Sequence, residues 1–258
     1  AGPDFASANS IYRSPLAEII PAEPTARVLE QGFRPAVTEL GKRHPVTAGM
    51  LGADTWGRWM RQIEVDPVGG DVVMKGIDEK PLLVLDRVGE GRVALLASDH
   101  AWLWSRGFEG GGPQLDLLRR LAHWMMKEPE LEEEALWAEP VGQTMRIVRR
   151  SLSADVGSVT VTRPDGTEDE VTLEEVSPGR FEALYDGPEI GLYRLVEGDQ
   201  EAVVGLGPAA PREFEQTIAS GDGLEPLAMS TGGGVSRLED SVPQIRNVRP
   251  GRPAIGRG

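Results

Sequence analysis

The sequence predicts two structured parts, an α/β domain in residues 1–128 and an all-β sandwich in residues 141–206. Within the first part, residues 81–134 have the pattern of strand, tight turn, strand, a loop rich in tryptophan and charge, three glycines and an amphipathic helix. Apolar runs alternate with helical or loop segments through this part, which is typical of an α/β domain. In the second part, short alternating runs recur every ~8–12 residues between turn signals, which predicts an immunoglobulin-like sandwich.

The hairpin and the helix in the first part are the clearest elements. Residues 81–88 and 92–98 flank Gly89, Glu90 and Gly91, which predicts a hairpin with a three-residue, bulged connection. Residues 92–98 are apolar on both faces, so we expect a strand that is covered on both sides. Pro113 begins a predicted helix that ends near Lys127. Its apolar residues at helical spacing form the expected buried stripe: Leu115, Leu118, Leu121, Ala122 and Met125.

The remaining segments differ in composition. Residues 129–140 form an acidic run, which favours a solvated linker. In the sandwich, Phe181 is an expected core residue and Tyr193 an expected corner tyrosine. Residues 207–258 are rich in Gly, Pro and Arg. This tail is either a disordered terminus or a segment whose arginines lie near anionic lipid.

Composition excludes several classes of function. The formal net charge of −14 argues against a nucleic-acid partner, because phosphates would be repelled. The chain contains no cysteine, so it has no disulfide, no thiolate metal site and no cysteine nucleophile. No HExxH motif and no histidine pair at metal spacing is present, and we expect neither a metal nor a cofactor. No run approaches the ~18 apolar residues of a membrane helix.

One loop contains most of the candidate site residues. It begins directly after the predicted strand at residues 92–98, at a carboxyl end where open α/β sheets often bind ligands. His100 beside Asp99 could be a general base or a metal ligand. Alternatively, His100 bonds to backbone while the tryptophans pack beneath the glycine-rich loop. The candidate binding residues are Asp99, His100, Trp102, Trp104 and Arg106 of this loop, together with Trp56 and Trp59.

The order of several motifs resembles a known family. These motifs include RHPVT, WGRW, PLLVLDRVGEGRVALLASD and GGPQLDLLRRLAHWMMKEP. They resemble the class I glutamine amidotransferase-like domain of large, mostly uncharacterised bacterial inner-membrane proteins, some of which have von Willebrand A-type domains. The resemblance covers residues 1–137 and continues more loosely through the sandwich. It implies a flavodoxin-like α/β domain that is incomplete here, because a strand would precede Ala1.

The chain departs from the catalytic pattern of this family. Its active enzymes use an elbow cysteine and a His-x-Glu motif after a late strand, and this chain has no cysteine. His100 follows a late strand, but Trp102 occupies the position of the glutamate. The resemblance therefore implies no catalytic residue in residues 1–258.

These observations predict a function of binding rather than catalysis. We expect a non-catalytic binding or scaffolding part of a membrane-anchored bacterial envelope protein, on the periplasmic side of the inner membrane. Its partner would be a protein, and its membrane spans would lie outside this fragment. The alternative is an amidotransferase or other hydrolase that a missing amino-terminal half completes and that uses His100. A carbohydrate-binding module is a third possibility, because exposed tryptophans stack on sugars.

Overall fold

The computed structural model describes residues 1–50, 52–207 and 224–233, without the side chain of Ala53. The chain divides into two compact units, Ala1–Ala209 and Ala210–Gly258. The first unit contains both predicted parts. The predicted tail, residues 207–258, lies outside the described residues except for Gly207 and residues 224–233.

The first half of the larger unit contains six strands and three α-helices. Strands β1 and β3 form a two-stranded sheet, and a second sheet has the order β2-β4-β5-β6. Short 3-10 helices, such as Pro15–Glu18 with Ser14 as its cap, connect these elements. The elements are β1 (Ala22–Leu29), β2 (Ala36–Val37), α1 (Glu39–Arg43), β3 (Gln62–Pro67), β4 (Asp71–Lys75), β5 (Pro81–Val88), β6 (Gly91–Leu96), α2 (Trp102–Ser105) and α3 (Gln114–Met125).

The prediction of a flavodoxin-like α/β domain is wrong. The described residues form fourteen strands in four sheets with four α-helices, and every strand pair is antiparallel. The connections β4–β5 and β5–β6 are short, and such connections allow only antiparallel pairing of neighbouring strands. A parallel pair needs a crossover of a dozen or more residues. The β5–β6 hairpin itself is tighter than predicted, because Val88 pairs with Gly91 across a two-residue turn that begins at Gly89.

Strand β6 is covered on both faces, as its composition predicted. Ala94 and Leu96 pack against a core that includes Trp104, Leu117 and Trp124. On the opposite face, Leu95 belongs to a second core. That second core also contains Phe5, Ala22, Ile63, Val65, Val84 and Ala97. The sheet therefore lies between two apolar layers, one of which is formed by α3.

The predicted buried stripe of α3 is correct at Leu121 and wrong in phase at its other four residues. The sheet covers Leu117, Leu121 and Trp124, whereas Leu115 is 82% exposed and Leu118 is 44% exposed. At 3.6 residues per turn, the apolar residues of α3 cover about half of its circumference. The sheet contacts only one side of that arc. We call the uncovered side the outer stripe; it consists of Leu115, Leu118, Ala122 and Met125.

The second half of the larger unit is all β. Two four-stranded antiparallel sheets, β11-β12-β8-β7 and β10-β9-β13-β14, share one core that includes Phe181 and Tyr193. The arrangement is compatible with an immunoglobulin-like sandwich. Its strands are β7 (Ala135–Val141), β8 (Thr144–Arg150), β9 (Val159–Thr162), β10 (Glu168–Val171), β11 (Glu174–Ser177), β12 (Arg180–Asp186), β13 (Gly191–Glu197) and β14 (Gln200–Leu206).

The acidic segment at residues 129–140 contains ordered elements. A 3-10 helix spans Pro129–Leu131, and β7 begins at Ala135. Glu133 is only 6% exposed. The segment is thus partly buried, and little chain separates the two halves of the unit.

The corner tyrosine of the sandwich has the expected contacts. Tyr193 is fully buried; its hydroxyl donates to the Glu189 carbonyl at 2.7 Å and accepts the Glu189 N–H at 3.1 Å. We expect Tyr193→Phe to lower the free energy of unfolding by about 0.5–1.5 kcal/mol, because the backbone N–H and carbonyl of Glu189 lose their hydrogen-bond partner. Urea denaturation measures this change. Tyr12→Phe is the control, since the Tyr12 hydroxyl has no hydrogen bond within the described residues; an equal loss there would contradict the prediction.

In the smaller unit the structure describes α4 (Glu225–Ser230). No helix within the described ranges combines the length and the hydropathy needed to cross a membrane.

Candidate functional site

Three of the predicted binding tryptophans belong to the core. Trp56, Trp59 and Trp104 are 4%, 0% and 3% exposed. The Trp104 ring centroid lies 5.2 Å from that of Trp56 and 4.8 Å from that of Trp59. Trp104 Nε1 donates to the Gly57 carbonyl at 2.7 Å. These three rings stabilise the fold, and their faces do not reach solvent.

The glycine run before α3 is explained by this cluster. A Cβ atom on Gly112 would lie 2.5 Å from the Trp104 ring, and one on Gly111 would lie 2.7 Å from the Trp104 carbonyl. Gly111 also has a φ of +75°, which side chains rarely adopt. The run therefore allows close packing over Trp104.

Asp99, His100 and Trp102 lie together just after the end of β6. The His100 Nδ1 atom accepts the Met60 N–H at 3.1 Å, which is a backbone bond of the kind that the alternative interpretation requires. His100 Nε2 is 3.7 Å from Asp99 Oδ1, which is beyond hydrogen-bond distance. Trp102 is 52% exposed and contacts His100 edge to face, with ring centroids 6.3 Å apart.

The surroundings of Asp99 are cationic. Arg61 Nη1 lies 3.5 Å from Asp99 Oδ2. The Ala1 amino group donates to the Leu96 carbonyl; burial lowers its pKa, and the Asp99 charge opposes that shift. Arg106 is exposed, and its side chain makes no hydrogen bond or ion pair within the described residues. The structure thus keeps Asp99, His100 and Trp102 together and buries the other three tryptophans, and within the described residues it shows no side-chain bond from Arg106 to this group.

The other two histidines also have fixed partners. His44 is fully buried; its Nδ1 accepts the Val46 N–H at 3.2 Å, and its Nε2 lies 3.3 Å from Glu133 Oε1. Because Nδ1 is an acceptor, the proton of a neutral His44 is on Nε2 and faces Glu133. His123 Nδ1 lies 2.6 Å from Glu128 Oε2 at the surface.

A cluster that the sequence did not reveal surrounds Glu132, Glu133 and Glu134. Trp124 Nε1 donates to Glu133 Oε1 at 2.6 Å, and Arg87 pairs with both Glu133 and Glu132. We call this group the connector clasp; its cations are Arg87, Arg92 and Arg149.

The clasp joins the two halves of the larger unit. On the sandwich side, Glu134 pairs with Arg149 at 2.6 Å and accepts the Ser151 hydroxyl at 2.9 Å. Arg149 is 7% exposed and also pairs with Glu197 at 2.6 Å. The only sequence signal was the presence of arginines in the runs that became β5, β6 and β8. Nothing in those runs indicated which glutamates they would meet.

A cleft of about 520 Å³ lies beside the clasp and is lined by Asp71, Asp86 and Gln200 among others. Burial raises the pKa of the Asp71 carboxyl above its ordinary value. No lining residue is a serine, threonine or cysteine. Within the described part of the chain, no group of three or more His, Cys, Asp or Glu residues is arranged to hold a metal ion.

No protein-family model and no curated protein matches this chain.

The histidine contacts limit the chemistry that is available. In all three histidines Nδ1 already has a protein partner. Ser98, the hydroxyl closest in sequence to His100, donates to the Arg61 carbonyl at 2.7 Å and accepts the His100 N–H at 3.1 Å. A general base must reach the proton of its nucleophile, and this serine–histidine pair is connected through the backbone instead.

Proposed function

We propose that the chain is a non-catalytic binding and scaffolding part of a membrane-anchored bacterial envelope protein. The observation that carries the non-catalytic part is the His100 Nδ1 contact with the Met60 N–H. Because Nδ1 accepts this bond, the proton of a neutral His100 is on Nε2, and neither ring nitrogen is free to act as a base. The motif resemblance supports the envelope setting, on the periplasmic side of the inner membrane. The connector clasp supports a scaffold, because it fixes the two halves of the larger unit together.

The binding surface in this proposal lies at the edge of the sheet. Among the strands of the described residues, β6 pairs only with β5. Ala97 donates to the Leu82 carbonyl, so the alternate residues Arg92, Ala94 and Leu96 direct their backbone groups away from β5. The Ala1 amino group donates to the Leu96 carbonyl. The outward-facing backbone groups of Arg92 and Ala94 have no backbone partner within the described residues. An open edge of this kind is a template for another strand.

The outer stripe is on α3, which packs on β6. Leu115, Leu118 and Met125 present apolar surface there, and an exposed apolar stripe is typical of an interaction site. The partner in this proposal is a protein that adds an extended segment to β6 and covers the outer stripe with apolar side chains.

Site-specific photo-crosslinking tests the surface. With a photoreactive residue in place of Leu118, we expect a single defined protein adduct in cells that make the whole protein, and the same residue in place of Asp116 should give none. Asp116 is the matched control, because it is two residues away and lies on the opposite side of α3 from Leu118. An adduct between two copies of the chain would contradict a separate partner. Equal adducts at both positions, or none at either Leu115 or Leu118, would also contradict the proposal.

The competing function is a hydrolase that uses His100 and Asp99. It requires His100 to release the Met60 N–H and its Nε2 to reach a nucleophile. A pH-dependent hydrolysis that disappears in His100→Ala, while the variant keeps the unfolding transition of the parent chain, would replace the binding proposal with this one.

A further inference from the structure

A small recess with three arginines lies where the two halves of the larger unit meet. It has a volume of about 220 Å³ and lies between the turn after α1, the 3-10 helix at Pro129–Leu131 and the β11–β12 hairpin. Its charged lining consists of Arg43, Arg150, Arg180 and Glu130. We call it the basic recess. Three cations around one small recess are unexpected in a chain whose formal net charge is −14.

Arg150 lacks a carboxylate partner in this recess. Its Nη1 atom donates to the carbonyls of Glu130 and Glu132, and within the described residues the guanidinium forms no ion pair with a carboxylate. Its Nε and Nη2 groups therefore have no protein acceptor there. A guanidinium with free N–H groups in a partly closed site is a strong donor to an oxyanion.

The two neighbouring arginines keep free N–H groups as well. Arg180 uses Nε to bind Glu182 at 2.6 Å, which leaves both Nη atoms without an acceptor in the described structure. Arg43 uses Nη1 to bind Glu175 at 2.7 Å and the Ser153 carbonyl at 3.0 Å. These contacts hold the side chains in place without using all of their donors.

The side chain of Trp137 holds two of the cations close together. The guanidinium carbons of Arg150 and Arg180 lie 5.5 Å and 5.7 Å from the centre of its ring. Burial lowers the pKa of Arg150, and the charge of Arg180 lowers it further. Two like charges on one ring repel each other, and an anion between them would remove that repulsion.

We propose that the basic recess binds an oxyanion, the phosphate or carboxylate group of a small ligand, through the free N–H groups of Arg150 and Arg180. A groove of about 540 Å³ shares Glu130, Arg150 and Arg180 with the recess and continues along Trp137. The rest of the ligand extends into this groove and contacts the Trp137 ring. The exposed Glu130 carboxylate disfavours ligands that bring a second anionic group to the same side. This site is separate from β6 and the outer stripe, so it does not depend on the proposed function.

Calorimetric titration of the whole chain with inorganic phosphate at low ionic strength tests the site. We expect saturable one-to-one binding, weakened about tenfold in Arg180→Gln because two charge-assisted donors are lost. Arg194→Gln is the matched control, since Arg194 on β13 is an exposed arginine that pairs with Glu201 on β14, and we expect the affinity of this variant to equal that of the parent chain. Acetate in a parallel titration distinguishes a carboxylate ligand from a phosphate ligand, and saturable binding of either supports the proposal.

Three outcomes would overturn the site. The first is an absence of saturable binding of both phosphate and acetate by the parent chain. The second is an unchanged affinity in Arg180→Gln, and the third is an equal loss in Arg194→Gln, which indicates non-specific attraction. Arg150→Gln also removes the bonds to the Glu130 and Glu132 carbonyls, so the effect of Arg180→Gln is the deciding measurement.

Discussion

Replacement of Trp104 by alanine is expected to lower the free energy of unfolding by about 3–5 kcal/mol. The indole ring is almost fully buried between Trp56 and Trp59, and Gly112 lies directly on it. The substitution leaves a cavity and removes the donor to the Gly57 carbonyl. Denaturant unfolding followed by circular dichroism measures the change, which should appear as a lower midpoint at an unchanged slope.

Trp102→Ala is the control for this measurement, because it removes the same side chain two residues away. Trp102 is half exposed and its main aromatic contact is with His100. We expect a loss of less than about 1 kcal/mol, as for most surface substitutions. Equal losses in the two variants would contradict the burial of Trp104, and a larger loss in Trp102→Ala would place that ring in the core.

The second large effect is expected at Glu133, the buried carboxylate of the connector clasp. Glu133→Gln keeps the shape of the side chain but removes the charge that faces Arg87 and His44. Glu133 is buried but Arg87 is half exposed, so we expect the loss of the charge-assisted hydrogen bonds of this carboxylate to cost about 1.5–3 kcal/mol at neutral pH. Glu90→Gln is the control, because Glu90 is fully exposed and its ion pair with Lys127 has a distance of 3.8 Å.

The effect of Glu133→Gln should depend on pH in a defined direction. Burial alone would raise the pKa of Glu133, but contacts with His44, Arg87 and Trp124 hold it well below the ordinary value. A depressed pKa means that the carboxylate stabilises the fold above the unfolded value of about 4.3, and that this contribution is lost as pH falls towards the folded value. The difference between parent and variant should therefore be full at pH 7 and smaller at pH 3. A difference that grows on acidification would contradict the assignment.

The sequence predicted local elements better than their arrangement. The β5–β6 hairpin, the strand covered on both faces, the helix after Pro113 and the corner contacts of Tyr193 follow from short-range patterns. The flavodoxin-like topology came from a motif resemblance and from a strand–loop–helix pattern that β6 and α3 do contain. A strand–loop–helix pattern does not determine the order of the strands in a sheet. In this sheet the short connections between β4, β5 and β6 place these three strands side by side.

The candidate site was predicted only in part, because adjacent residues of one loop differ in burial. Trp102 and Trp104 are the same residue type and lie two positions apart in one loop. Only Trp104 is buried in the core. The apolar pattern of α3 extends over two sides of the helix, so periodicity could not determine which side the sheet covers. The basic recess draws Arg43, Arg150 and Arg180 from distant parts of the chain, and no motif joins them.

The connector clasp also limits where one half of this chain can be exchanged for the corresponding part of another protein. Residues 129–134 meet arginines from both neighbouring halves, and β7 begins directly after them. A chimera that exchanges the sandwich at this segment would separate Glu134 from Arg149 and would leave a buried cation with one partner fewer. Recombination between related genes should therefore seldom give a stable protein when the crossover falls at this junction. We expect the two halves to have been inherited together.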